Sequence, residues 1–489
     1  MGTLARVLLL AAMVLVQPAV LAAAPMGFDE ARHLLNRTSF AANIDDIEAF
    51  AKFTREQAVD QLLAWTGSKV GTPPPSWINE FVSPRRVRNL SGDERKALIR
   101  REIEKGIELR GWWISEMLTT PSPLTEKMVL FWHNHFVSSL QKVRSPVLMY
   151  RQQQLLRKHA FGRFGDMLHE VAKDPAMVVY LDSASNRKGQ PNENFAREVM
   201  ELFTLGEGNY TEKDVKEAAR AFTGWGIDPD TGEFVLRPQL HDDEVKTILG
   251  RSGNFDGDAA LDILLAQPHT AELIVSKLWR EFVSPNPDPP EVRRIARTFR
   301  DSRYNIKTAL RALLVSDAFY APQNRATLVK SPVELVVGTL RQFRFETGAV
   351  TPFVFASRQL GQDLLAPPNV KGWPGGDAWI NSATLLVRKQ LLERLFRAQE
   401  MRPVPMAMNR DAAERAKDVG KPDADARERF ARAMMDIHFD GDQWLLQYKA
   451  GDPLLIKTLL PTNPAGPLAG LEGTELVRQL VLDPVYQLK

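Results

Sequence analysis

The sequence predicts a mainly α fold: a multi-helix globular domain with at most one small β-hairpin near residues 226–240. Three observations carry that expectation. From Phe28 onward, apolar residues recur at the spacing of amphipathic helices. Several of these stretches open on a cap: Ser122 precedes Pro123, and Thr211 precedes Glu212 with Asp214 three residues on. Strand-like alternation is scarce. Its clearest case is Gly226–Leu240, where Asp228-Pro229-Asp230-Thr231-Gly232 is a turn between two short arms.

The elements follow in order. Residues 1–24 read as an export signal. Arg6 supplies the positive end, and Val7–Val16 is an unbroken apolar run. That run is too short to span a bilayer, for which about 20 residues are needed. Pro18 breaks it, small residues lead to Ala24, and cleavage after Ala22 fits the small-residue rule with Val20 three positions before the cut. Helical patterns then cover Asp45–Thr66, Asp93–Leu118, Pro123–Phe136, Pro146–His159 and Phe161–Lys173. Further patterns cover Asn192–Thr204, Glu212–Phe222, Ala271–Phe282, Glu291–Phe299, Ile306–Val315 and Pro332–Phe345. The last cover Ala383–Gln399, Asp425–Asp436 and Thr474–Leu482. Gly71-Thr72-Pro73-Pro74-Pro75 and Ser284–Pro290 are proline-stiffened connections, and Leu460–Gly473 is a further loop. Met401–Asp423 mixes proline, charge and alanine. The expected organisation is therefore a signal at 1–24, a helical domain over 28–400, a flexible loop or linker at 401–423, and a helical segment at 424–489 that completes the same domain.

Composition narrows the function classes. The 63 basic and 60 acidic residues of the 489-residue chain nearly balance and are spread along it, which argues against nucleic acid as a partner. Local basic runs such as Arg85-Arg86-Val87-Arg88 are read as solvated faces or loops. There is no cysteine, which excludes disulfides, thiolate metal ligands, a cysteine nucleophile and a lipid-modified cysteine. No segment after the signal is an unbroken apolar stretch long enough to cross a membrane. The mature chain is therefore expected to be exported, periplasmic or secreted, with no membrane span. The chain has no GxGxxG before a helix, no GxxxxGK[ST], no HExxH and no GxSxG. Dinucleotide, nucleotide, zincin and α/β-hydrolase chemistry lose their usual support.

Four stretches could carry chemistry. At 100° per residue, Asn194, Glu198 and Glu201 fall within about 60° of one another. Phe195, Ala196, Val199, Leu202 and Phe203 fill the opposite arc. Paired carboxylates can hold a metal or move protons, although the same pattern suits a solvated helix face. In Phe131-Trp132-His133-Asn134-His135-Phe136, the two histidines diverge by about 200° on a helix. One of them can face a site, or both can be structural. The polar loop Asp182–Gly189 ends where the glutamate helix begins, which brings Asp182, Asn186 and Arg187 towards Asn192 and Glu193. Such a loop suits an anion or sugar hydroxyls, or is an ordinary surface connection. The proline-, glycine- and tryptophan-rich stretch Pro367–Asn381 contains Trp373; it suits stacking on a sugar, docking a partner, or packing on the core.

These residues resemble the bacterial family called domain of unknown function 1800. The resemblance rests on ordered motifs: ARHLLNRTSF at 31–40, FWHNHF at 131–136, DPAMVVYLD at 174–182, NENFAREVMELFTLG at 192–206, AFTGW at 221–225, the His241-Asp242 pair, LAQPHTAELIVSKLW at 265–279 and PPNVKGWPGG at 367–376. The chain departs from the family at Ala41, where glycine is common. The resemblance runs from about residue 28 to the C-terminus. It implies an exported, helical protein, often encoded beside a member of the domain-of-unknown-function 1501 family, which resembles sulfatases and alkaline phosphatases. That neighbour is the partner it suggests. It carries over no established catalytic residues. Its motifs do concentrate His133, His135, Asn192–Glu201 and His241, which are expected to share one cleft.

The leading expectation is an enzyme, a hydrolase or related catalyst acting on a glycan, an ester or a cell-envelope component. Glu198 and Glu201 would be acid/base groups or metal ligands, with His133 or His135 beside them. Asp182, Asn186, Arg187, Asn192, Asn194, His241 and Trp373 would bind substrate. With no thiolates, a hard or borderline divalent metal is the natural cofactor. The rival is a non-enzymatic extracytoplasmic scaffold that binds a partner through the tryptophan loop, its polar motifs forming only a buried hydrogen-bond network.

Overall fold

The structure is a computed structural model that describes residues 24–397, 436–449 and 451–489. The export signal, apart from its last residue, and the linker expected at 401–423 lie outside the described residues, as does nearly all of the helix expected at 425–436.

Helices dominate, and local chemistry sets their ends. Proline opens Pro123–His135, Pro146–His159, Pro175–Tyr180, Pro268–Phe282, Pro289–Asp301 and Pro332–Gln342, where its missing N–H leaves nothing unpaired. Thr211 and Asp214 form the expected reciprocal cap of Glu212–Ala221. The single pattern at 45–66 divides into Ile44–Phe50 and Arg55–Ala64, because Thr54 and Gln57 cap a new start. The first helix is Gly27–Thr38, and Gly257–Leu265, Thr351–Gln359 and Pro453–Leu459 are further helices beyond the expected set.

The expected hairpin pairs Trp225–Ile227 with Phe234–Leu236, antiparallel, with Gly226 opposite Val235. Its turn is held by Asp228, whose carboxylate accepts the amides of Asp230 and Thr231. Two further two-stranded sheets add to it. Lys246–Ile248 pairs with Arg251–Gly253 through a turn in which Leu249 and Gly250 both have positive φ. Glu346–Thr347 pairs with Ile437–His438, a contact between segments far apart in sequence.

One hydrophobic cluster runs through the molecule from Met26 to Tyr486. Trp113, Trp132 and Trp279 are among its largest fully buried side chains. Its C-terminal part is tied in by polar contacts as well: Trp444 Nε1 donates to the Gln342 carbonyl at 2.9 Å, and the Lys489 amide to the Leu328 carbonyl at 2.8 Å.

The helix Pro123–His135 is buried on almost every side, so its polar residues are buried too. Each charge there meets an opposite charge, as burial demands. Glu126 accepts from Arg157 at 2.5 Å and from Trp113 Nε1 at 2.9 Å. Lys127 and Lys489 both donate to Glu334. Burial would raise the Glu334 carboxyl, but the two ammonium groups hold it well below the usual carboxylate range.

Candidate functional site

The helix that carries the two glutamates is not a regular α-helix. Asn194–Glu198 is α-helical, and Val199–Thr204 winds as a π-helix. The Leu205 amide bonds back to the Met200 carbonyl at 2.7 Å, and Thr204 Oγ1 takes the Val199 carbonyl at 2.6 Å. A π turn holds more residues than an α turn, so the regular angular reading stretches here. The two carboxylates nevertheless stay within electrostatic reach of each other.

Their environments differ. Glu201 Oε2 accepts the Tyr210 hydroxyl at 2.7 Å, and its other oxygen lies 3.8 Å from Lys371 Nζ. Glu198 is half-buried, and its carboxylate makes no hydrogen bond or ion pair with any of the described residues. Burial pushes its carboxyl up, and the Glu201 charge pushes it further; Arg197 and Lys371 oppose. Tyr180 faces the same group: burial raises its hydroxyl, and Glu198 adds to the rise. Arg197 is spent elsewhere, on Glu212 at 2.6 Å and Glu193 at 3.1 Å.

Lys371 reaches this face from the tryptophan loop, where it also lies 3.3 Å from Glu207. Two residues along, the loop is pinned to the histidine block. The Trp373 amide donates to Asn134 Oδ1 at 2.7 Å, and Asn134 Nδ2 donates back to the Trp373 carbonyl at 3.3 Å. Gly372 makes this approach possible: φ is +82°, and a Cβ there would lie 2.7 Å from the Asn134 carbonyl oxygen. Trp373 itself is buried. Its indole is part of the core and is not presented as a stacking surface.

The histidines point to opposite sides of their helix. His133 lies between Trp113 and Trp373, with ring centroids 5.6 Å away in both cases, and Nε2 has no partner. Burial lowers it to about 3, with Arg110 adding to the shift. His135 is enclosed by Trp132, Phe136, Phe164 and Phe203. Its Nδ1 accepts from Lys277 Nζ at 3.0 Å, and burial together with the Lys277 charge lowers it well below the ordinary histidine range. Neither ring touches a glutamate of the pair. The expected common cleft of His133, His135, Glu198 and Glu201 is thus two places linked by the Gly372–Trp373 loop.

The polar loop and the glutamate helix do meet. Asn186 Oδ1 accepts the Asn192 amide at 2.9 Å, Asn192 Nδ2 donates to Ser185 Oγ at 2.9 Å, and Asn194 Nδ2 donates to the Leu181 carbonyl at 3.2 Å. These amides hold backbone together, and Asn186 is buried with Nδ2 on the Ala219 carbonyl. Asp182 pairs with Lys142 at 2.7 Å, and Arg187 folds back on Gln190. His241 sits with this loop, Nδ1 2.9 Å from the Thr223 carbonyl, while Arg220 holds the adjacent Asp242.

Among the described residues, no group of three or more histidine, aspartate or glutamate side chains is placed to hold a metal ion. The glutamates supply two carboxylates without a third ligand of that kind. Three residues that sequence reasoning passed over belong to the site: Tyr180, Tyr210 and Lys371. Each lies inside or beside a motif already singled out, yet nothing in its spacing marks it, because its partner arrives from another element. Two concavities lie elsewhere: a cavity of about 10 Å³ beside Arg32, His33 and Lys489, and an open groove of about 390 Å³ between Pro73–Pro75, Trp112 and Val350.

A family model described as a protein of unknown function (DUF1800) matches residues 33–460. No curated protein and no solved structure matches the chain.

Proposed function

The chain belongs to the DUF1800 family, and we propose that Glu198 and Glu201 are the acid/base pair of an extracytoplasmic hydrolase acting on a glycan of the cell envelope. The observation that carries this reading is the unlike setting of two neighbouring carboxylates. Glu198 is half-buried, without a hydrogen-bond or ion-pair partner among the described residues, and pushed up, which suits a group that keeps its proton until it is needed. Glu201 has a hydroxyl and an ammonium to compensate a negative charge. In the proposed step Glu198 protonates the leaving oxygen as the glycosidic C–O bond breaks. A water that gives its proton to Glu201 supplies the new C–O bond. Tyr180 and Tyr210 flank the pair and offer ring faces and hydroxyls to a sugar. The reading goes with export of the chain to the periplasm or beyond.

A second reading, a non-enzymatic scaffold, is favoured by a different observation. Asn134, Gly372 and Trp373 lock the tryptophan loop to a helix whose histidines are buried, so these motifs serve to hold shape. The partner in that case would be an exported protein, such as a member of the domain-of-unknown-function 1501 family. Reducing-sugar release from purified envelope glycan separates the two. The hydrolase reading expects release by the wild type, loss of at least about a hundredfold in Glu198→Gln and Glu201→Gln, and unchanged thermal midpoints. No release from any glycan by folded wild type overturns it.

A further inference from the structure

The longest helix among the described residues, Gly92–Thr119, carries a surface that the carboxylate pair does not use. From Gly92 to Glu104 every residue is exposed except half-buried Leu98 and Glu102. More than three turns, about 20 Å, therefore stand clear of the core. On this free end Ile99 and Ile103 are both 54% exposed, unlike the buried isoleucines of the core. They lie one turn apart, and Ile107, one turn further, reaches the rim of the groove between Pro73–Pro75 and Trp112.

The charges around this stripe are sorted by face. At 100° per residue, Lys96 lies within about 20° of the stripe's centre, Arg100 within about 60° and Arg95 within about 80°. Glu94, Glu102 and Glu104 lie about 100° or more away. Glu94 is in any case occupied by its cap at Ser91, and Glu102 by Lys105 at 3.1 Å. The preceding short helix Pro84–Arg88 carries exposed Arg86 and Arg88 close in sequence. Asp93 is the one carboxylate near the stripe, and it lies 3.4 Å from Lys96.

We propose that the Gly92–Glu104 end of this helix is an interfacial anchor that lies on an anionic lipid surface. An apolar stripe flanked by long cationic side chains is the pattern such a surface recognises: isoleucines enter the acyl boundary while arginine and lysine stems run along it to the headgroups. The stripe is exposed to solvent along the helix end, so it is open to contact with a surface. No helix among the described residues is long and apolar enough to cross a membrane. Against a carboxylate-lined protein groove stands the shape: the stripe is convex, and its cations spread to both sides.

The test uses the mature chain from Ala23 onward, without the signal's own lipid-binding apolar run, and vesicles of phosphatidylcholine with or without phosphatidylglycerol. Wild type is expected to co-sediment with the phosphatidylglycerol vesicles at low salt and to remain in solution with phosphatidylcholine alone. Ile99→Ser/Ile103→Ser should weaken that binding by about tenfold, and Arg95→Gln/Arg100→Gln by a similar factor, both with unchanged thermal midpoints. Three results overturn the proposal: no binding to anionic vesicles, binding that the isoleucine variant retains in full, or concentration-dependent self-association that the same variant abolishes.

Discussion

Lys277 Nζ lies 3.0 Å from His135 Nδ1 and 2.8 Å from the carbonyl oxygen of Leu202. One ammonium thus joins the histidine block, the end of the π-helical segment and the helix Pro268–Phe282. The Leu202 carbonyl is among the last-turn acceptors that a helix end leaves without a backbone partner. Because Lys277 donates to Nδ1, the His135 proton is assigned to Nε2.

Lys277→Met should show what this bridge contributes. Burial, with Arg280 nearby, lowers the lysine to about 8. Its unfolded value is near 10.4, so between those values the unfolded chain binds more protons and stability rises with pH. Below about pH 8 the lysine is charged in both states and that gain is absent. The wild type should therefore gain about 1 to 2 kcal/mol over the variant between pH 8 and 10, after allowance for partial exposure. Urea midpoints at the two pH values measure it; parallel curves for the two proteins would refute the assignment.

His133 is expected to make the protein acid-sensitive. It is lowered to about 3, and its unfolded value is near 6.5. The unfolded chain binds more protons below pH 6.5, so the stability of the native state falls as pH drops from there towards 3. His133→Phe keeps a ring between Trp113 and Trp373 and has no proton to gain. It should cost less than about 1.5 kcal/mol at pH 7. At pH 5 it should outperform the wild type, relative to pH 7, by about 2 kcal/mol. Thermal scans at both pH values decide this, and an equal loss in the two proteins counts against it.

Gly372→Ala tests the loop that connects the two places. The substitution forces a Cβ against Asn134 at a positive φ, and a loss of about 2 to 4 kcal/mol is expected. Lys371 would leave Glu201 as the loop shifts. Lys371→Met is the milder control: it leaves the fold intact and removes a charge that opposes the rise of Glu198. The basic limb of any pH–rate profile should then move up by a few tenths of a unit in Lys371→Met. A downward move would contradict the role given to Glu198.

Local signals in the chain carried much of the architecture. Proline at the first helical position and side-chain caps marked helix starts such as Pro123, Pro146 and Glu212, because those interactions close within a few residues. The turn at Asp228–Gly232 was legible for the same reason. The π-winding at Val199–Thr204 was not, since a five-residue backbone step has no side-chain signature that competes with the α pattern. Nor were the strands Glu346–Thr347 and Ile437–His438, each of two residues and paired across a long stretch of sequence.

By itself, then, the sequence determined the mainly helical class, the absence of thiol chemistry and the family, and it marked the stretch that holds Glu198 and Glu201. Tertiary structure decided what those residues face. It turned His133 and His135 into the core, spent Asn186, Asn192 and Asn194 on holding the loop and helix start together, and brought Tyr210 and Lys371 to Glu201 while leaving the Glu198 carboxylate without a hydrogen-bond or ion-pair partner among the described residues. The reason is physical. Helix periodicity and caps are short-range and written in neighbouring residues, whereas the burial that dominates the protonation of Glu198, and the Lys371 charge that opposes its rise, are supplied by segments distant in sequence.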